Sequence, residues 1–203
     1  MDEGRATPPL QEAFRETHQS LLEQKKFDTF LSGSTCIVVL VAGEANQKRI
    51  IVANAGDCRC IVCTEGWGGK LITTQISVDQ SPDRPDERKR IEKNGGIVGM
   101  VDVTLDKPKG ADLGPARVFW PDGSWEPPFD SCFPGLAMSR SLGDSVLDDL
   151  GVFPDPEVYT RAVKPKDRFL VIASDGVWQV MSNEEVSAVV NSCNGDADQA
   201  CKV

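Results

Sequence analysis

An aspartate at the end of an unbroken apolar run is the first residue that could do chemistry. Residues 169–173 read Phe-Leu-Val-Ile-Ala, and Ser174, Asp175 and Gly176 follow directly. Such a run indicates a strand buried on both faces, with Asp175 where the strand leaves the core. An ionised carboxylate there needs a metal ion, a basic side chain or backbone N–H groups beside it. The simpler alternative is that Asp175 caps the following turn.

Three cysteines, Cys58, Cys60 and Cys63, form a second candidate site. A zinc site is one interpretation, but their spacing lacks a second matched pair, and the single histidine, His18, is distant in sequence. Small core residues on a strand are the alternative that we favour. The chain has seven cysteines, an odd number, and most lie in apolar runs, which indicates reduced thiols in a cytosolic protein.

Length and charge narrow the class of protein. The 203 residues suit one domain, and the net charge of -9 argues against nucleic acid or an anionic membrane as the main partner. The charge is compatible with cation binding, although solubility explains it equally well. No apolar run is long enough to span a bilayer, and the charged start lacks the pattern of a signal peptide. We expect a cytoplasmic monomer, with the nucleus as an alternative location.

The elements that must position these residues follow from periodicity and turn residues. An amphipathic helix starts at Thr7-Pro8 and continues past residue 20. Short loops between the next strands favour an antiparallel meander. Ser182 and Glu185 form a capping box that starts a late helix. The predicted strands are Cys36–Ala42, Arg49–Ala55, Cys58–Cys63, Leu71–Gln75, Glu157–Arg161 and the apolar run, with a charged helix at Asp83–Asn94 and an irregular stretch, Gly99–Phe133, that contains Trp120 and Trp125.

Several motifs occur in an order that resembles the metal-dependent protein phosphatases of the 2C type, the PPM family. Each motif is weak alone, but the ordered set is highly specific, and the resemblance covers roughly residues 10 to 203. The motifs are Ser32-Gly33-Ser34-Thr35, Asn54-Ala55-Gly56-Asp57-Cys58-Arg59, Arg90-Ile91 through Gly95-Gly96, Leu136 to Asp144, and Ala173-Ser174-Asp175-Gly176-Val177-Trp178.

The resemblance implies an α+β fold and a hydrolytic activity. The family fold is two stacked antiparallel β-sheets flanked by helices. Its members remove phosphate from phosphoserine and phosphothreonine in proteins, so phosphoproteins are the implied partners. They use two Mn²⁺ or Mg²⁺ ions held by Asp side chains and water, and a bridging hydroxide attacks phosphorus. Such ions lower the pKa of bound water and neutralise phosphoryl oxygens, and hard oxygen ligands suit them.

The resemblance also implies roles for individual residues. Asp175 matches the family aspartate that binds the metal centre from the end of this strand. Asp57 matches the aspartate that, together with it, holds a third and weaker metal. Arg140, Asp144 and Gly176 match supporting positions beside the centre. The stretch Gly99–Phe133 matches the flap region, where Trp120 and Trp125 are either contact residues or local packing.

Departures from the family pattern lead us to expect a single partial domain over residues 1–203. The first metal motif, Asp-Gly-His-Gly, and a phosphate-binding arginine would lie upstream, and the final Gly-Asp-Asn motif downstream, so no catalytic residue is matched. Gln179 stands where the family usually has Asp, Gln80-Ser81-Pro82 replaces His-Lys-Pro, and Cys58 replaces a serine. Of the metal-binding carboxylates that the family pattern implies, only Asp57 and Asp175 remain in this chain. We therefore expect little or no turnover from this chain alone.

Two functions compete for this sequence. The first is a protein serine/threonine phosphatase, present here as a fragment. The second is a catalytically dead phosphatase-like module that binds or regulates partners. A non-functional truncated product is a third interpretation.

Overall fold

A computed structural model describes residues 3–26, 28–44, 47–100, 114–121 and 134–202. Trp125 and most of the stretch Gly99–Phe133 lie outside these ranges. The helices are α1 (Glu3–Leu22), α2 (Pro85–Lys93), α3 (Asp175–Trp178), α4 (Asn183–Ser192) and α5 (Ala197–Ala200). The strands are β1 (Gly33–Ser34), β2 (Cys36–Ala42), β3 (Arg49–Ala55), β4 (Arg59–Glu65), β5 (Leu71–Gln75), β6 (Ile97–Gly99), β7 (Arg117–Phe119), β8 (Pro134–Leu136), β9 (Leu142–Gly143), β10 (Glu157–Ala162) and β11 (Asp167–Ala173).

The chain forms two compact units. The first contains residues Met1–Leu10, Ile37–Asp79 and Glu157–Val203. Its two three-stranded antiparallel sheets have the strand orders β10-β3-β2 and β11-β4-β5. Side chains of both sheets share one apolar cluster around Val52 and Val62, so the two sheets are stacked. The predicted architecture of stacked antiparallel sheets flanked by helices is confirmed.

Helices α3 and α4 cover the other face of the β11-β4-β5 sheet. Ile61 and Cys63 of β4 form a cluster there with Trp178 of α3 and Val186 of α4. The period-two alternation of β4 explains this arrangement, since Cys60 and Val62 point into the space between the sheets instead. The first unit therefore has three layers: sheet, sheet and helices.

The sequence predicted that the apolar run of residues 169–173 is buried on both faces, and this prediction is wrong. The run forms β11, which lies at the edge of its sheet, and Ile172 is 44% exposed. The deeply buried strands are β3 and β4, where Val52, Ala53, Cys60 and Ile61 are fully shielded from solvent. An apolar run indicates that a segment forms a strand, but it does not indicate whether that strand lies at the centre or at the edge of the sheet.

The second unit contains Gln11–Cys36 and Gln80–Pro156. Its core joins α2, the sheet β6-β7-β8 and the 3₁₀ segment Ser145–Leu150 through Ile91, Val118 and Leu147. Trp120 packs against this core and donates its indole N–H to the Val146 carbonyl at 2.9 Å. Packing therefore accounts for Trp120. Among the described residues, no helix combines the length and apolar character needed to cross a membrane.

Helix α4 starts with the predicted capping box. The backbone N–H of Glu185 donates to Ser182 Oγ at 3.2 Å, and the Ser182 N–H donates to Glu185 Oε2 at 2.8 Å. We expect Ser182→Ala to lower the free energy of unfolding by about 1 kcal/mol, because a helix N-terminal donor loses its acceptor.

Urea denaturation followed by circular dichroism measures the effect of Ser182→Ala. Ser192→Ala is the control at the other end of α4, where the hydroxyl of the exposed Ser192 donates to the Val189 carbonyl at 2.7 Å. That change is expected to stay within about 0.5 kcal/mol of the wild-type value. Equal losses in the two variants would show that the capping box contributes nothing.

Candidate metal centre

A tight corner between β3 and β4 presents Asp57. The buried Asn54 side chain donates from one amide nitrogen to the carbonyls of Gly56 and Cys58, both at 2.9 Å. Gly56 has φ +114°, which an L side chain rarely adopts. These two features fix the backbone on both sides of Asp57 and explain why Asn and Gly occur in this motif.

Asp175 begins the single-turn helix α3 directly after β11. The Trp178 indole N–H donates to the Ala173 carbonyl at 2.7 Å and ties the turn to the end of the strand. The Gln179 amide donates to Asp175 Oδ2 at 2.6 Å and orients this carboxylate. Gly176 has open space around it, since an added Cβ would meet only Ser174 Oγ at 3.8 Å. The supporting role predicted for Gly176 stays a prediction.

Strand register brings the two predicted metal ligands to the same end of one sheet. Ala173 of β11 pairs with Arg59 of β4, so Asp175 and Asp57 each lie two residues beyond this pair. Ile61 pairs with Gln75, which places Asp79 at the same end, just after β5. Three carboxylates therefore come from three neighbouring connections of the β11-β4-β5 sheet.

The electrostatics show that the carboxylates are close to one another. Partial burial, then the charge of Asp175 and more weakly that of Asp79, raise the pKa of Asp57 to about 6. Among the described residues of the first unit, neither Asp57 nor Asp175 forms an ion pair with a basic side chain. Half-buried carboxylate oxygens with uncompensated charge are the donors that a hard divalent cation prefers, so this donor set fits such an ion.

Arg59 and Asp79 form a bidentate ion pair next to these carboxylates. Arg59 Nε lies 3.0 Å from Asp79 Oδ1, and Nη2 lies 2.6 Å from Oδ2. The third nitrogen, Nη1, donates to Asn183 Oδ1 at 2.7 Å, and the guanidinium stacks 5.2 Å from the Trp178 ring centroid. Sequence reasoning missed Asp79, although its place four residues after a predicted strand was a usable signal.

Arg140 and Asp144, the predicted supporting residues, belong to the second unit. Arg140 donates to both oxygens of the buried Glu87 and, at 2.9 Å, to the Asp155 carbonyl. Asp144 has φ 52°, and burial raises the pKa of its carboxyl group. A Cβ at Gly33 would lie 2.1 Å from Asp144 Oδ2, which explains the glycine of the Ser32-Gly33-Ser34 motif.

The zinc interpretation of Cys58, Cys60 and Cys63 is wrong. Cys60 points into the core between the two sheets, whereas Cys63 packs on the opposite face of β4 beneath α4. Side chains on opposite faces of one strand cannot converge on one ion. Burial also raises the pKa of the Cys60 thiol to about 11, which disfavours the thiolate that binds zinc.

Comparisons with known proteins point to one family. A family profile described as Protein phosphatase 2C matches residues 3–203. From Oryza sativa subsp. japonica, Probable protein phosphatase 2C 75 is 37% identical over 92% of this chain and 38% of its own length. From the same organism, Probable protein phosphatase 2C 12 is 39% identical over 88% of this chain and 41% of its own length. From Arabidopsis thaliana, Probable protein phosphatase 2C 73 is 37% identical over 86% of this chain and 41% of its own length.

Solved structures show the same fold. A serine-threonine phosphatase 2C from Toxoplasma gondii superposes with a TM-score of 0.70 at 22% identity, over 97% of this chain and 57% of that chain. At this identity the similarity concerns the fold alone. The chain spans about two fifths of the length of the curated relatives that it matches.

Proposed function

Because this chain belongs to the protein phosphatase 2C family, we propose that it acts as a metal-dependent protein serine/threonine phosphatase. The observation that carries the proposal is the placement of Asp57 and Asp175 at one end of a sheet, close enough for the charge of one to raise the pKa of the other. The proposed cofactor is Mn²⁺ or Mg²⁺, and the proposed substrates are proteins that carry phosphoserine or phosphothreonine.

The residues of this chain have separate tasks in the proposal. Asp57 and Asp175 supply carboxylate oxygens to the ion. Gln179 holds one oxygen of Asp175 at 2.6 Å and thereby limits its rotation, and Asn54 fixes the corner that carries Asp57. When bound, the ion supplies Lewis acidity, which lowers the pKa of water and neutralises charge on phosphoryl oxygens.

Two carboxylates suit one hydrated ion better than a close pair of ions. Mg²⁺ usually keeps several waters and binds through one or two carboxylates. We therefore propose that the chain binds about one divalent ion per molecule, and that its turnover by itself is low. This limit follows from the donor set at this end of the sheet.

Isothermal titration with Mn²⁺ and hydrolysis of a phosphothreonine peptide test the proposal together. Asp175→Asn should weaken Mn²⁺ binding at least about tenfold, because it removes the negative charge of a ligand. The control is Asp198→Asn, because Asp198 is exposed in α5. This variant should bind Mn²⁺ as tightly as the wild type. Any turnover should require Mn²⁺, disappear with a chelator and disappear in Asp175→Asn.

The two readouts separate the competing functions. Mn²⁺ binding that depends on Asp175, together with Mn²⁺-dependent turnover, supports the phosphatase. The same binding without any turnover supports the alternative, a phosphatase-like binding module that retains a metal site. The proposed metal site is contradicted if the wild type binds no Mn²⁺, or if Asp175→Asn binds Mn²⁺ as tightly as the wild type does.

A further inference from the structure

The ion pair between Arg59 and Asp79 lies where it can control the charge of the proposed metal centre. Arg59 is two residues from Asp57 in sequence and pairs across the sheet with Ala173, two residues before Asp175. Its guanidinium stacks on Trp178, the last residue of the turn that Asp175 begins. A cation is thus held next to two carboxylates that, among the described residues of the first unit, form no ion pair with a basic side chain.

Every nitrogen of the Arg59 guanidinium is held away from those carboxylates. Nε and Nη2 donate to the two oxygens of Asp79, and Nη1 donates to Asn183 at the start of α4. Asp79 is itself held in place, because the Gln75 amide lies 3.4 Å from its Oδ1. Asn183 in turn donates to Gln75 Oε1 at 3.1 Å, which closes the network.

The charges at this end of the sheet lead to the inference. Arg59 and Asp79 neutralise each other, so Asp57 and Asp175 retain two negative charges, the complement of one divalent cation. If Arg59 were released, its guanidinium could pair with either carboxylate and compete with the ion. Removal of Asp79 would free two of the three nitrogens of Arg59, Nε and Nη2, for such a pair.

We propose that Asp79 is a positioning residue, which keeps the Arg59 guanidinium off Asp57 and Asp175 and so leaves both carboxylates available to a divalent cation. This inference rests on the proposed metal site. It assigns Asp79 an indirect action through Arg59, which differs from direct ligation of the metal by Asp79.

Four variants separate this action through Arg59 from metal ligation by Asp79, in a titration of the metal-free 203-residue chain with Mn²⁺ alone. Asp79→Asn should weaken Mn²⁺ binding by about tenfold or more, since a competing cation is released. Adding Arg59→Gln to Asp79→Asn should restore the affinity to within about threefold of the wild type, because the competitor is gone. Arg59→Gln alone should bind no more weakly than the wild type, and Asp79→Glu, which retains a carboxylate, should lie within about threefold of it.

A second ion pair in the same unit provides the matched control. Asp167 forms a bidentate pair with Arg161 at 2.6 and 2.8 Å, at the opposite end of β11 from Asp175. Asp167→Asn therefore removes an equivalent interaction without releasing a cation near Asp57, and Mn²⁺ affinity should stay at the wild-type level. Circular dichroism confirms that each titrated variant is folded.

The outcomes separate failure of this inference from failure of the proposed function. If the wild type binds no Mn²⁺, or Asp175→Asn binds it equally well, the proposed metal site is refuted and the inference with it. If the wild type binds through Asp175 but Asp79→Asn binds equally well, only the inference is refuted. It is also refuted if the double variant binds as weakly as Asp79→Asn, or if Arg59→Gln alone loses about tenfold in affinity.

Discussion

Replacement of Glu87 by alanine is expected to lower the free energy of unfolding by about 3–5 kcal/mol. Glu87 is fully buried in the second unit. Its carboxylate accepts hydrogen bonds from Arg90, Arg140 and Ser139, with Arg140 Nη2 at 2.7 Å and Arg90 Nη2 at 2.8 Å. Alanine would leave two largely buried guanidinium groups without the charge that balances them. Urea denaturation followed by circular dichroism measures the loss.

The control for Glu87 lies in the same helix. Glu92 of α2 is exposed and pairs with Arg88 at 3.3 Å, so Glu92→Ala should cost less than about 1 kcal/mol. A similar loss in the two variants would mean that burial of the Glu87 cluster contributes nothing. Glu87→Gln keeps the shape of the side chain and should also destabilise the protein, since it removes the charge.

The contribution of Glu87 to the free energy of unfolding should decrease at low pH. Burial alone would raise the pKa of its carboxyl group, but hydrogen bonds from Arg90, Arg140 and Ser139 outweigh burial and lower this pKa to about 2. An acid with a lowered pKa stabilises the folded protein above its unfolded-state pKa and loses this contribution as the pH falls through the folded-state value. The difference between wild type and Glu87→Ala should therefore persist at neutral pH and shrink as the pH approaches 2.

Asp57→Asn is expected to make the metal-free protein more stable at pH 7. The pKa of Asp57 is raised to about 6 from its ordinary value of 3.8, so the folded chain binds its proton more tightly than the unfolded chain. The stabilisation from this proton is complete below the unfolded-state pKa and is lost as the pH rises through the folded-state pKa. Allowing for the partial solvent exposure of the group, Asn should gain about 1–2 kcal/mol at pH 7 and nothing at pH 3.

Thermal unfolding in a chelating buffer, followed by the same measurement with Mn²⁺, tests this prediction. The ion should stabilise the wild type by about 2.7 kcal/mol at a concentration one hundred times its Kd, and it should stabilise Asp57→Asn less. The stability advantage of Asp57→Asn over the wild type should therefore shrink towards zero, or reverse, as Mn²⁺ is added. If Asp57→Asn is less stable than the wild type in chelator at pH 7, the carboxylates do not repel one another as described.

Local sequence determined much of the fold and the identity of the family. The strands at Cys36–Ala42, Arg49–Ala55 and Leu71–Gln75 have the predicted bounds, because each is an apolar segment between turn residues. The capping box of Ser182 and Glu185 depends on residues three apart and was also predictable. The ordered motifs identified the family, and they placed Asp57 and Asp175 directly after strands.

Tertiary structure alone decided which residues meet. The pairing of Ala173 with Arg59 joins segments more than one hundred residues apart, and no local pattern fixes such a register. The charged helix α2 gave no sign that Glu87 is buried, since its partner Arg140 comes from a distant loop. Edge or central position of a strand likewise depends on its neighbours, so β11 is more exposed than its apolar sequence predicted. The sequence thus determined the elements and the chemical groups, whereas long-range pairing decided the site that they form.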